Sequence, residues 1–121
     1  MGNFKELWVW QKSVHLVTEI YSFTQSFPKQ EIYSLTSQIR RSSVSIPSNI
    51  AEGHSRRSTL DYIQFLKIAR GSCAELETQL IIARNLNYLN PEEFQNLSEK
   101  TAEISKMINA IITKLQSTPN P

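Results

Sequence analysis

Apolar positions recur every three or four residues in four stretches of this chain, and no stretch shows the strict alternation of a strand. The first stretch runs from Leu7 to Ser26. Trp10, Val14, Val17, Tyr21 and Thr24 form one line, and Val9, Ser13, Leu16, Ile20, Phe23 and Phe27 form a second, about 100° round the cylinder. Together they make an apolar face wider than a narrow seam. Phe27-Pro28 ends this helix, because a residue before proline avoids the α region. The second stretch spans Gln30 to Gly53, with Ile32, Leu35, Ile39, Ser42, Ile46, Asn49 and Gly53 in line and Ser43 and Ile50 flanking them. The third runs from Ser58 to Asn87 on Tyr62, Leu66, Ala69, Cys73, Leu76, Leu80, Ala83 and Asn87. Its start is marked by Ser58-Thr59-Leu60-Asp61, a capping box with Asp in the place of Glu. The fourth runs from Pro91 to Gln116 on Phe94, Leu97, Thr101, Ile104, Ile108, Ile111 and Leu115, with Asn90 as N-cap and Pro91 at the first helical position.

Heptad-like stripes on four helices joined by short loops predict an all-α fold: an antiparallel, up-down-up-down four-helix bundle, packed near +20°. Residues 1–116 form one domain, and residues 117–121 are expected to be a frayed tail.

The second helix carries an internal proline, Pro47, which takes the hydrogen bond from the Ser43 carbonyl and costs about 3 kcal/mol in a helix interior. Ile39, Ile46 and Ile50 stay in phase across it, so a bend is expected there, not a stop. Around it lie Ser42, Ser43, Ser45, Ser48 and Ala51, and the third helix holds a similar patch at Gly71, Ser72, Cys73 and Ala74. Glycine within a helix costs about 1 kcal/mol against alanine, so a tight crossing between these two patches is the expected packing reason.

Composition narrows the chemistry. At 121 residues with one cysteine, the chain can bury a core but cannot form an internal disulfide, which fits a reducing cytoplasm. The N-terminus lacks a signal-peptide core, and no apolar run approaches the roughly 18 residues of a membrane span. A soluble cytoplasmic protein is expected, with no membrane role. The net charge is only +2, yet all the arginines, Arg40, Arg41, Arg56, Arg57, Arg70 and Arg84, lie mid-chain, which points to an anionic partner. Salt bridges to Glu52, Asp61, Glu75 or Glu77 are the bland alternative. Arg40, Arg41, Arg56 and Arg57 are the first candidates for nucleic-acid contact, then Lys67 and Arg70. The wide face of the first helix suggests a second burial task, with Trp8, Val9, Leu16 and Phe23 as candidates for a subunit contact.

No enzyme can be assembled from these residues. A di-iron bundle needs Glu-x-x-His pairs, and neither His15 nor His54 has a glutamate three residues earlier. His15 and Glu19, four apart, read as a surface pair, and Cys73 as a buried, inert thiol. No catalytic residue, metal, cofactor or small-molecule substrate is expected.

The stretches LWVWQK (Leu7–Lys12), FPKQE (Phe27–Glu31), LTSQIRRSSVSIPSNIAEG (Leu35–Gly53), Arg57, FLKIARG (Phe65–Gly71) and SCAELETQL (Ser72–Leu80) closely resemble the bacterial 23S rRNA intervening-sequence proteins. The resemblance runs from Phe4 to about Leu115. It implies a four-helix bundle with a proline-bent second helix and a homo-oligomer, a ring of five subunits. Related proteins resemble the accessory protein of diversity-generating retroelements, a basic ring that binds nucleic acid and a reverse transcriptase. This chain departs from those in being only mildly basic. Two functions stay open: an oligomeric binding scaffold that contacts RNA or a ribonucleoprotein through its arginine-rich surface, and a protein–protein adaptor with no nucleic-acid role.

Overall fold

The computed structural model describes residues 3–117, and among them every regular element is helical. The four long helices are α1 (Trp8–Thr24), α2 (Leu35–His54), α3 (Thr59–Asn85) and α4 (Pro91–Ser117); short 3-10 turns sit at Phe4–Glu6 and Lys29–Glu31. Each helix packs against its neighbours in sequence, and α4 closes the bundle against α1. Contacts between neighbours run in opposite order. Lys12 meets Glu103 while Glu19 meets Lys100, Ser42 meets Gln79 while Ser45 meets Ser72, and Arg70 meets Asn109 while Arg84 stacks on Phe94. Successive helices therefore alternate in direction.

The core takes one line from each helix. From α1 it takes Val9, Ser13, Leu16 and Ile20, so the second of the two lines read from the sequence faces inward, joined at the helix end by Thr24 from the first line. Val14 and Tyr21, from the other line, are exposed, and Trp10 is half-buried. From α3 come Leu66, Ala69, Cys73, Leu76, Leu80 and Ala83, and from α4 come Leu97, Thr101, Ile104, Ile108 and Ile112. Ile112 is buried where Ile111 was expected. The buried hydroxyls of Thr24 and Thr101 donate back to the carbonyls of Ile20 and Leu97, both at 2.7 Å, so neither is left unpaired.

The helix ends follow local chemistry. Ser58 Oγ accepts from the Asp61 N–H at 3.0 Å, as its capping box requires. Asn90 and Glu93 form a reciprocal pair: Asn90 Oδ1 accepts from the Glu93 N–H at 2.7 Å, and Glu93 Oε1 accepts from the Asn90 N–H at 2.9 Å. α3 stops at Asn85, not at Asn87. Asn87 adopts a left-handed φ of 63°, and the Tyr88 N–H bonds back to Ala83 O while the Asn87 N–H bonds to Arg84 O, a Schellman closure. α2 starts at Leu35, later than Gln30. Ser34 leaves the helical region (φ −123°, ψ −108°), and Ile32 and Tyr33 are exposed. Ser117 belongs to α4, and residues 118–121 of the expected tail lie outside the described residues.

α2 runs unbroken through Pro47, which is itself buried. Ile46 and Ile50 on either side are fully buried. Burial of each contributes about 1.5–3 kcal/mol, enough together to outweigh the proline penalty of about 3 kcal/mol. The α2–α3 seam is lined by small polar groups: Ser45 and Ser72 share a hydrogen bond at 2.8 Å, and Ser42 donates to Gln79 Oε1 at 2.7 Å. A close approach lies at Gly53, where an added Cβ would stand 2.7 Å from Phe65 Cβ and 3.0 Å from Tyr62 Cδ1. Gly71, expected in this crossing, instead faces open space, and Ala74 is exposed.

Phe65 Cβ is fixed to its backbone, so a methyl at Gly53 must push the helices apart. We expect Gly53→Ala to destabilise the fold by about 1–3 kcal/mol in urea unfolding, despite alanine's better helix propensity. An unchanged or higher midpoint would show that the seam is loose.

Candidate nucleic-acid interface

The six cations singled out from the sequence are spread over different seams of the bundle. Arg40 turns toward α1: its Nε donates to Thr24 Oγ1 at 3.0 Å, and its guanidinium lies 4.6 Å from the Tyr21 ring centre. Arg41, one residue on, projects to the other side of α2, because consecutive helical positions diverge by about 100°. There it lines a groove of about 300 Å3 with Gln38, Ser42, Ser45, Glu75 and Gln79. Arg70 reaches across to α4, where its Nη1 donates to Asn109 Oδ1 at 2.6 Å. Arg56 pairs with Glu52 at 3.1 Å and lies 5.0 Å from the Phe65 ring centre. Such an exposed pair contributes only about 0.3–0.5 kcal/mol, so it holds Arg56 weakly. Arg57 and Lys67 are exposed, and neither has an acidic partner among the described residues, nor does Arg41.

Salt bridging therefore involves Arg56 with Glu52, while Asp61, Glu75 and Glu77 pair with none of the six cations. The opposite side of the bundle is more fully paired. Lys100 Nζ lies 2.6 Å from Glu19 Oε1, Lys12 Nζ 3.1 Å from Glu103 Oε1, and His15 Nε2 3.7 Å from Glu19 Oε1.

Of the four subunit-contact candidates, Val9 and Leu16 lie in the core of the chain itself, 2% and 1% exposed, and so have no surface to offer. The wide face of α1 resolves into one buried line and a partly covered flank. Phe23 is half-buried against the core. Trp8 is the exception, 69% exposed, with Lys12 Nζ 5.8 Å from its ring centre.

More exposed aliphatic side chains lie elsewhere. Leu60, Ile68 and Ile82 of α3 and Leu86 at its C-cap are all exposed, and with Gly71 they fall within roughly a quarter-turn of the helix, on the side away from its core stripe. Sequence periodicity missed this face because the core stripe of α3 is so regular. The signal was present, since Ile68 and Ile82 fall outside that stripe.

Cys73 is fully buried, and its thiol is pushed up to about 12, first by burial and then by the nearby Glu77 carboxylate. Tyr88 donates to Glu31 Oε2 at 2.8 Å; this hydrogen bond, with burial and the Glu31 charge behind it, raises the phenol above its usual range. The pair ties the α1–α2 connection to the α3–α4 connection. Among the described residues no three His, Cys, Asp or Glu side chains gather as a metal site would need, and no helix is long and apolar enough to cross a membrane.

Fold and surface together define an all-helical four-helix bundle. A family model for the 23S rRNA-intervening sequence protein matches residues 5–110. The chain belongs to that family. It is similar to the crystal structure of a protein of unknown function from the S23 ribosomal protein family of Bacteroides thetaiotaomicron VPI-5482. The two share 30% identity over 86% of this chain and 97% of that one, with a TM-score of 0.78. No match was found among curated proteins.

The fold favours the neutral Cys73 thiol. Its contribution to stability is therefore full below the ordinary thiol value of 9.0 and is lost as pH climbs from there toward about 12. In native protein at pH 8 a disulfide reagent such as DTNB should label Cys73 at least a hundredfold more slowly than in denatured protein. Cys73→Ala should flatten part of the alkaline loss of stability. Fast labelling of the folded chain would contradict a closed core at this position.

Proposed function

We propose that this chain is a non-enzymatic binding scaffold that works as a homo-oligomer. The observation that carries this reading is Gly71. It sits in the middle of a 27-residue helix, open to solvent, where glycine costs about 1 kcal/mol against alanine. Nothing among the described residues repays that cost, since an added Cβ would meet no atom of theirs within 4 Å. Leu60, Ile68, Ile82 and Leu86 share its face. A glycine with an exposed isoleucine one turn away suits the close approach of another backbone, and exposed aliphatic side chains recurring along one helix face, here interspersed with Gln64, Glu75 and Thr78, suit an interaction site. A second copy of the chain is the proposed partner. The family resemblance sets the expected count at five subunits, and the lone cysteine fits the reducing cytoplasm as its place.

A second reading concerns the ligand of that assembly. Arg41, Arg57 and Lys67 lack acidic partners among the described residues, which favours an anionic partner such as RNA or a ribonucleoprotein. A ring multiplies each such cation by the subunit number, so a mildly basic protomer can build a strongly basic assembly. The protein–protein adaptor is the alternative if no RNA binds.

Light scattering should give a mass several times 13.9 kDa at micromolar concentration. Ile68→Glu with Ile82→Glu should reduce it to the monomer with helicity retained. A monomeric wild-type chain would remove the scaffold reading. In gel shifts with structured RNA, Arg41→Glu with Arg57→Glu should weaken binding at least tenfold at low salt, and wild-type binding should fall as salt rises. Absence of salt-sensitive binding at micromolar protein would leave the adaptor.

A further inference from the structure

We propose that the groove between the end of α1 and the start of α2 is a binding site for a small organic carboxylate with an apolar body. The groove encloses about 420 Å3, within the usual range for small-molecule sites. Phe27, Pro28 and Ile32 give it apolar walls. Its charged lining residues are Lys29 and Arg40, and no carboxylate lines it. Glu31, close by in sequence, is turned to the Tyr88 hydroxyl and the Leu35 N–H instead.

Arg40 is set up for a planar anion. Its Nε is held by Thr24 Oγ1 at 3.0 Å, and the guanidinium is 4.6 Å from the Tyr21 ring centre. Thr24 is itself fixed, because its hydroxyl donates to the Ile20 carbonyl. The two terminal nitrogens of Arg40 have no partner among the described residues. A guanidinium locked in one plane with its outer edge free is the geometry that meets a carboxylate through two parallel hydrogen bonds.

Thr36 supplies a second, independent observation. It lines the same groove, is 2% exposed, and its Oγ1 is, among the described residues, the buried side-chain polar atom that lacks a hydrogen-bond partner. The other buried hydroxyls of the described residues are all paired; this one lies beneath the groove wall, where a χ1 rotation would bring it to the surface and let it gain an acceptor on a ligand. Thr36 also stands in the first turn of α2, where the N–H groups of Thr36 and Ser37 have no backbone carbonyl to receive them. Positive helix end, unpaired donor and free guanidinium edge all favour negative charge, while the apolar walls favour a ligand with a hydrocarbon part over bare phosphate.

The test is an amide chemical-shift titration of the full chain with sodium benzoate as probe. Benzamide serves as the uncharged control and inorganic phosphate as the charge-only control. Benzoate should saturate with a dissociation constant on the order of 1 mM or tighter, as for a small fragment. Shifts should be centred on Phe27, Thr36 and Arg40, and benzamide and phosphate should each bind at least tenfold more weakly. Arg40→Lys, which keeps the charge and loses the fork, should weaken benzoate at least tenfold, and Thr36→Val several-fold. Lys29→Gln, at an exposed position, should weaken it about threefold and keeps the test open if an Arg40 variant does not fold. Equal binding of benzamide, equal binding of phosphate, shifts centred elsewhere, or affinity unchanged by Arg40→Lys or, failing that, by Lys29→Gln would overturn the proposal.

Discussion

At Gly53 the backbone of α2 comes so near α3 that one added methyl group would stand 2.7 Å from Phe65 Cβ. The rest of the seam is built for the same closeness, with serine facing serine at Ser45 and Ser72 and a serine–glutamine pair at Ser42 and Gln79. Short side chains let the two helices meet, and their hydroxyls find partners across the gap, so burying them leaves no unpaired group. Pro47 fits the same logic. It lies between the buried residues Ile46 and Ile50, whose burial holds the helix together where a backbone hydrogen bond is missing.

The rotation of α2 in this seam decides what its arginines can do. With Ile39, Ser42, Ser43 and Ile46 turned inward, Arg40 and Arg41 are forced apart, one against the Tyr21 ring of α1 and the other into the groove shared with α3. A run that looks in sequence like a single basic patch becomes two environments. Arg40 is anchored and presents only an edge, whereas Arg41, Arg57 and Lys67 keep their charge open to solvent. In the proposed roles, attraction of an anionic partner would rest on the second group, and shape-specific recognition on the first.

The outer face of α3 completes this division. Its inner stripe is saturated by the core, yet its opposite side keeps Leu60, Ile68, Ile82 and Leu86 in water around an open glycine. A helix apolar on two sides has more surface to bury than one bundle can cover. This is a firmer reason to expect self-association than the width of the α1 face, because Val9 and Leu16 are consumed by the core of the chain itself.

Much of this was legible in the amino-acid order. The four helices, the Ser58 and Asn90 caps, the continuity of α2 through Pro47 and the buried place of Cys73 all follow from spacing and local hydrogen bonding, which act over four residues or fewer. Other features depend on what stands opposite. Which of two apolar lines on α1 faces inward, why Gly53 and not Gly71 marks the close approach, where Arg40 finds Tyr21, and why Thr36 alone among the described buried hydroxyls lacks a partner were decided by tertiary packing. Periodicity names the faces of a helix, but only the neighbouring helices determine which face is covered, because burial is a property of pairs of surfaces and not of one.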